Sequence, residues 1–234
     1  RVLESVSTSC GWCSRRGRSR QNRSRHKRYK PLAAMRRSVS RAAFALRTRT
    51  RRAVCYALDG VAPETDAAAF VAPSASLVGD ITLAEDASVW HNCVLRGDVA
   101  RISVGMRSNI QDGTVIHVDS DALGGAGSTP TIVGADCTVG HMALLHACTL
   151  GDGAFVGMGA TVMSHGVVES GGMLAAGALL TGGKVVGAGE LWAGRPAKLV
   201  RSLGPTEAAF ILDSARAYVG FAKRHAAGAV EVSS

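Results

Sequence analysis

Large aliphatic residues recur at every sixth position through the central part of the chain. Val71, Leu77, Leu83, Val89 and Leu95 keep this spacing, as do Val104, Ile110 and Ile116, and then Val133, Val139 and Leu145. Leu150, Val156, Val162, Val168, Leu174, Leu180, Val186 and Trp192 continue it as an unbroken run. Neither a helix of 3.6 residues per turn nor a strand of period two produces such a series. Each aliphatic is usually followed by a small or polar residue, with Ala, Ser, Thr or Cys often four places on. The pattern predicts short strands joined by tight corners, three hexads closing one triangular coil of about 18 residues. The aliphatics stack inside, and parallel strands pair from coil to coil.

The expected fold class is therefore all-β, a parallel β-helix of hexapeptide repeats followed by a C-terminal α-helix. In hexapeptide proteins the coil is left-handed, an exception to the usual right-handed crossover. Three irregularities interrupt the period. Three extra residues separate Leu95 from Val104, and one is missing between Leu145 and Leu150. Between Ile116 and Val133 lie 17 positions where six are expected, an insertion of 11. It falls in VDSDALGGAGSTP, Val118 to Pro130, whose Gly, Ser, Asp and Pro content reads as a surface loop. Gly194 to Ala197 end the repeats, because Pro196 removes a ladder donor. Ala208, Ile211, Leu212, Ala215, Tyr218, Val219 and Ala222 then share one helical face, with Thr206 as a candidate cap. This helix is expected to lie along one side of the coil or to bridge to a neighbour. The domain division is 1–58 as a basic leader, 59–200 as the β-helix, and 201–234 as helix and tail.

Composition changes this picture only at the N-terminus. The 234 residues are 47% hydrophobic and 19% charged with 28 glycines, which excludes wholesale disorder. No apolar stretch approaches the ~20 residues of an integral membrane span. The net charge of +9 is uneven: residues 1–58 carry 17 Lys and Arg against Glu4 alone, leaving 10 basic and 17 acidic residues in the body. From Met35 the segment MRRSVSRAAFALRTRTRRAVCYA is Arg- and Ser-rich and free of acids, the composition of an organellar transit peptide. Met35 is read as the start, with residues 1–34 as upstream or extension sequence. A basic arm for nucleic acid is the competing reading, but Trp12 and Tyr29 alone supply no stacking platform, so no nucleic-acid partner is expected. Cys10 and Cys13 form a CxxC without a second pair. Cys93, Cys137 and Cys148 sit singly in the repeats as small buried apolar residues.

Among the histidines, the repeat assigns a direction to three. His117 follows Ile116 and His146 follows Leu145, so each stands just after a core aliphatic. They are 29 positions apart, and removing the 11 of the insertion leaves 18, one full coil. Stacking on adjacent strands separates their backbones by roughly 4.8 Å. That spacing lets two imidazoles converge on one ion with metal–nitrogen bonds of about 2.1 Å. His141, two places after Val139, belongs to another face, so a three-histidine site needs a second subunit; a cyclic trimer would hold three. The alternative is three unrelated surface or core histidines. His26, His91, His165 and His225 are read as surface or packing residues.

Polar residues gather around these positions: Arg96 and Asp98 in LRGD, and Asn109, Gln111 and Asp112 in NIQDGTVIH. They either stabilise turns or act at the site. In the second reading Gln111 orients a metal-bound water, and Arg96 and Asp112 pair at a subunit junction. VWHNCVLRGDVARISVGMRSNIQDGTVIHV, followed by PTIVGADCTVGHMALLHACTLGDGAFVGMGATV, resembles the γ-class carbonic anhydrases, including the γ-carbonic-anhydrase-like subunits of plant and algal mitochondrial complex I. The resemblance spans about residues 60–225. It implies a homotrimer or heterotrimer of left-handed β-helices, with Zn2+ (Fe2+ or Co2+ as alternatives) held by His117 and His146 of one chain and His141 of the next. It also implies reversible hydration of CO2 to bicarbonate by metal-bound hydroxide, with Gln111, Arg96, Asp98 and Asp112 near the metal. A matrix-side mitochondrial location follows from the same resemblance, with the chloroplast as the second choice. Archaeal members carry two glutamates for proton transfer where this chain has Val99 and, approximately, Ser120; Asp119 and Asp121 are candidate substitutes. Two other functions remain open: a mainly structural subunit of complex I, motivated by the transit-like leader and the resemblance, and a hexapeptide-repeat acyltransferase, since the same coils host acyl-CoA enzymes.

Overall fold

The computed structural model describes residues 53–120 and 128–228. Most of the basic leader, with Cys10, Cys13 and His26, and the middle of the insertion, with Asp121, lie outside these described residues. The body is a left-handed parallel β-solenoid of about seven turns closed by one helix. Leu77, Val89, Leu95, Val104, Ile110, Ile116, Val139, Leu145, Val156, Val162, Val168, Leu174, Leu180 and Val186 are all nearly or fully buried, so the sixfold series is the core.

Each turn visits three faces. The first face carries the strands Val115–His117, Leu144–His146, Thr161–Val162 and Leu179–Leu180 in parallel register. The second carries Thr131–Val133, Thr149–Leu150, Val167–Val168 and Val185–Val186. The third runs from Phe70–Val71 through Asn109–Ile110 and Thr138–Val139 to Met173–Leu174. The three extra residues after Leu95 lie within one long strand, Val94–Val104, which pairs with both Val115–His117 and Thr131–Val133 and so bends around a corner between two faces. At that bend Gly79 has φ +81°, and a Cβ on it would meet the Gly97 carbonyl oxygen at 2.2 Å. Close approach of two backbones is what requires glycine there.

Along the corner between the third and first faces, Asn92, Gly113, Met142, Gly159 and Gly177 adopt left-handed backbone with φ of 58–71°. The residue ahead of each projects from the same edge, which gives a column of His91, Asp112, His141, Met158 and Ala176.

Several boundaries differ from expectation. Val54–Tyr56 pairs in parallel with Ser76–Val78, so the coil begins ahead of residue 59. Val118 is fully buried, and the insertion is pinched instead by reciprocal backbone hydrogen bonds of 3.1 Å between Asp119 and Thr129. Past Pro196 the chain does not leave the sheet: Ala197–Ser202 folds back antiparallel on Glu190–Gly194. The helix α1 spans Pro205–Gly228. Its cap is not Thr206 but Gly204, whose carbonyl accepts from the Glu207 and Ala208 N–H groups at 3.1 and 3.0 Å. Pro205, with no N–H to satisfy, takes the first helical position, which puts Thr206 inside the first turn. Ile211, Ala215 and Ala222 bury against the third face, whereas Leu212 remains exposed. The far end of α1 is seated by Trp90, whose ring centroid is 5.4 Å from that of Tyr218 and 4.9 Å from that of His225.

Candidate metal centre

The parallel pairing of Val115–His117 with Leu144–His146 sets His146 directly opposite His117. Their ring centroids are 5.2 Å apart on the outer side of the first face. Ile116 and Leu145 point inward beneath them and are fully buried, so both rings stand on a close-packed floor. Arg96 is the next residue of the same column, paired in register with His117. Arg96, Asp98, Val99, His117, Val118, Asp119, Ser120 and His146 line a shallow hollow of about 320 Å³.

Hydrogen bonds orient these groups. Asp98 accepts from Arg96 and, at 3.0 Å, from His117 Nε2. Partial burial alone would raise the Asp98 pKa, but the hydrogen bonds from His117 and Arg96 outweigh it and hold the carboxyl below its usual range. The His117 carbonyl accepts from the Ala147 N–H at 3.1 Å and from the Thr131 hydroxyl, which anchors the strand end. His146 Nδ1 lies 2.9 Å from Ser164 Oγ, and Ser164 donates in turn to Asp119 Oδ2 at 3.1 Å. Desolvation, with the adjacent His117 imidazole second, lowers the His146 pKa and favours the neutral ring that a metal needs.

His141 lies elsewhere, on the corner column. There its Nδ1 meets Asp112 Oδ2 at 2.9 Å, and Asp112 Oδ1 accepts from the His91 N–H at 3.2 Å. Gln111 is buried beside this corner, donating from Nε2 to Asn109 Oδ1 at 3.0 Å while its backbone N–H bonds to Val139. The expected residues thus form two separate groups in one chain: Arg96, Asp98, His117 and His146 on the first face, and Gln111, Asp112 and His141 at its leading edge. Within a chain Arg96 pairs with Asp98, not with Asp112. Among the described residues no three His, Cys, Asp or Glu of one chain are arranged to hold a metal ion. Two imidazoles are two ligands, and a tetrahedral site with one open position asks for a third.

The hexad pattern alone does not identify Ser164 and Asp119 as partners of His146. The register explains the contact: Val162 is the partner of Leu145, so Ser164 stands on the next coil, one place past the position level with His146. The serine content of loops and corners hides it in the sequence.

No family model matches the chain. Among curated proteins it is 49% identical over 166 residues to "Gamma carbonic anhydrase 1, mitochondrial" of Arabidopsis thaliana, a match covering 71% of this chain and 60% of that protein. It is 47% identical to "Probable carbonic anhydrase" of Methanocaldococcus jannaschii, covering 64% of this chain and 89% of the archaeal one. Among solved structures, the hexapeptide transferase family protein of Anaplasma phagocytophilum superposes with a TM-score of 0.67 at 46% identity, covering 73% of this chain and 96% of that one. Near-complete coverage of the archaeal relative, on a solenoid that pairs His117 with His146, places the chain in the γ-class carbonic anhydrase family.

Proposed function

We propose that the protein is a γ-type carbonic anhydrase that hydrates CO2 reversibly to bicarbonate at sites shared between the subunits of a trimer. The carrying observation is the separation of the histidines: the His117 and His146 rings lie 5.2 Å apart on the first face, while His141 faces outward on another corner of the same chain. A second copy placing its corner column against the first face would bring the three imidazoles together, and a cyclic trimer repeats this contact three times. The surface between the pair and His141 suits such a contact. Val94, Val115 and Leu144 form an exposed apolar stripe, and Met142 beside His141 is 71% exposed.

In this reading His117 and His146 of one chain and His141 of the next hold zinc. Bound there, zinc would supply Lewis acidity that brings the pKa of water down to about 7. The protein's own groups do the rest. Arg96 presents a guanidinium at the rim of the hollow, where it favours a bicarbonate anion over neutral CO2. Asp98, held ionised by Arg96 and His117, fixes the orientation of both. Gln111 and Asp112 arrive with the neighbour's His141, Asp112 steering that imidazole through Nδ1 and Gln111 standing ready to orient the water that attacks CO2. Val99, a hydrocarbon side chain at the mouth, carries no proton.

Anaerobic purification of the full chain, followed by elemental analysis and a CO2 hydration assay on one sample, tests this reading. Close to one metal per chain is expected, with His141→Ala losing both metal and activity; unchanged metal content in that variant would overturn the assignment. The mitochondrial name of the Arabidopsis relative and the acid-free, Arg-rich segment that begins at Met35 support import into mitochondria. Attachment to respiratory complex I is the further expectation there, read by complexome profiling. The transferase name of the Anaplasma structure favours a second reading, an acyltransferase, for which turnover of acyl-CoA without CO2 hydration would be the sign.

A further inference from the structure

Behind His146 lies a chain of hydrogen bonds that the proposed reaction does not use directly. Ser164 Oγ donates to Asp119 Oδ2 at 3.1 Å. A serine hydroxyl has one proton, and an ionised carboxylate has none to return. Ser164 therefore has only lone pairs left for His146 Nδ1, 2.9 Å away, so Nδ1 must carry the proton of that bond. A neutral imidazole holds one N–H, which leaves Nε2 bare. The carboxylate is itself held in place: Asp119 Oδ1 accepts from the Ser120 N–H at 2.9 Å, and the Asp119 main chain is pinned to Thr129 in both directions. Thus the base of the insertion delivers a carboxylate to Ser164, one coil above the imidazole.

We propose that Ser164 is a positioning residue for metal capture: backed by Asp119, it locks His146 in the Nδ1–H tautomer, with the Nε2 lone pair free for the ion. The inference rests on reading His146 as a metal ligand. It gives the insertion a function, since a loop that failed to place Asp119 would release Ser164 to donate its own proton to Nδ1. The ring would then protonate Nε2 and lose the ligating lone pair. Outer partners of this type are worth about 10- to 100-fold in metal affinity.

The test uses the full chain, metal-free and labelled with 15N-histidine, with the His146 signals identified by their loss in His146→Gln. Wild-type protein should give an N–H type signal at Nδ1 and a bare-nitrogen signal at Nε2. Ser164→Ala and Asp119→Ala, by different routes, should both shift His146 towards the Nε2–H tautomer, whereas Ser164→Thr keeps the hydroxyl and should hold the wild-type form. In competition with a zinc chelator, the two alanine variants should bind zinc about 10- to 100-fold more weakly and Ser164→Thr within a few-fold of wild type. A wild-type ring protonated at Nε2, or Ser164→Ala retaining both tautomer and zinc affinity, overturns the inference. If wild-type chain takes up no zinc, the metal reading fails, and the tautomer spectra decide the role of Ser164 independently.

Discussion

Leu145 joins core and site within three residues: its side chain is fully buried, its register partner is Ile116, and the next residue is His146. Truncation to alanine leaves a cavity beneath both imidazoles. Leu145→Ala is expected to cost about 2–5 kcal/mol of unfolding free energy in denaturant titrations, and Leu145→Ile less than about 1.5 kcal/mol. A loss below that smaller figure for the alanine variant would mean that the floor under the site is loosely packed. The cysteines of the coil carry a second prediction. Burial pushes the Cys93 thiol up to about 11 and those of Cys137 and Cys148 up to about 12. The thiolate is the reactive form, so all three should stay unmodified by iodoacetamide at neutral pH in the native protein. Peptide mass spectrometry should find them alkylated only after unfolding. Their burial was legible in the sequence because each falls at a small-residue position of the hexad; the Ser164–Asp119 contact was not, because it joins one coil to an insertion that the period does not describe.

Helix α1 shows how far pattern alone reaches at the level of elements. Its existence and the centre of its inner face follow from helical spacing: Ile211, Ala215 and Ala222 are buried as that face requires, whereas Ala208 and Leu212, expected on it, are exposed. Its start does not follow, because three groups outside the helical pattern decide it. Glu207 reaches back to the Gly204 N–H at 2.9 Å and receives both arms of the Arg201 guanidinium at 2.7 and 2.8 Å. Arg201 comes from the antiparallel strand Ala197–Ser202, an element the sixfold period does not contain. The Arg201 hydrogen bonds, followed by the Gly204 N–H, lower the Glu207 pKa from 4.5 to about 2. In that interval the unfolded chain binds the proton and the folded chain does not, so stability rises with pH. The contribution is complete above about 4.5 and disappears as pH falls towards 2. Glu207→Gln should therefore melt below wild type at pH 7 and converge with it near pH 2, as followed by circular dichroism. A gap independent of pH would show that the Glu207 charge does not secure the start of the helix.

At the scale of the whole molecule, the His117–His146 pair and His141 lie on different edges of one solenoid, so the proposed three-histidine site needs two copies of the chain. The sixfold period conveys this much, since it separates His141 from the His117–His146 pair before any coordinates exist. It does not convey the Asp98–His117 and Asp112–His141 contacts, which depend on side-chain reach across corners. If the pair and His141 meet between copies, His117→Ala and His141→Ala are each inactive as homotrimers, because every site lacks one ligand. Mixed trimers behave differently. Wherever a His141→Ala chain supplies His117 and His146 and a His117→Ala neighbour supplies His141, all three imidazoles are present. Random co-assembly at equal amounts restores about a quarter of the interfaces in a cyclic arrangement. Co-expressed variants should thus regain close to a quarter of wild-type zinc content and CO2 hydration. The double variant His117→Ala/His141→Ala co-expressed with wild type serves as the control, because it too leaves about a quarter of interfaces intact by dilution alone. A site built within one chain would leave the mixture of single variants as inactive as its parents.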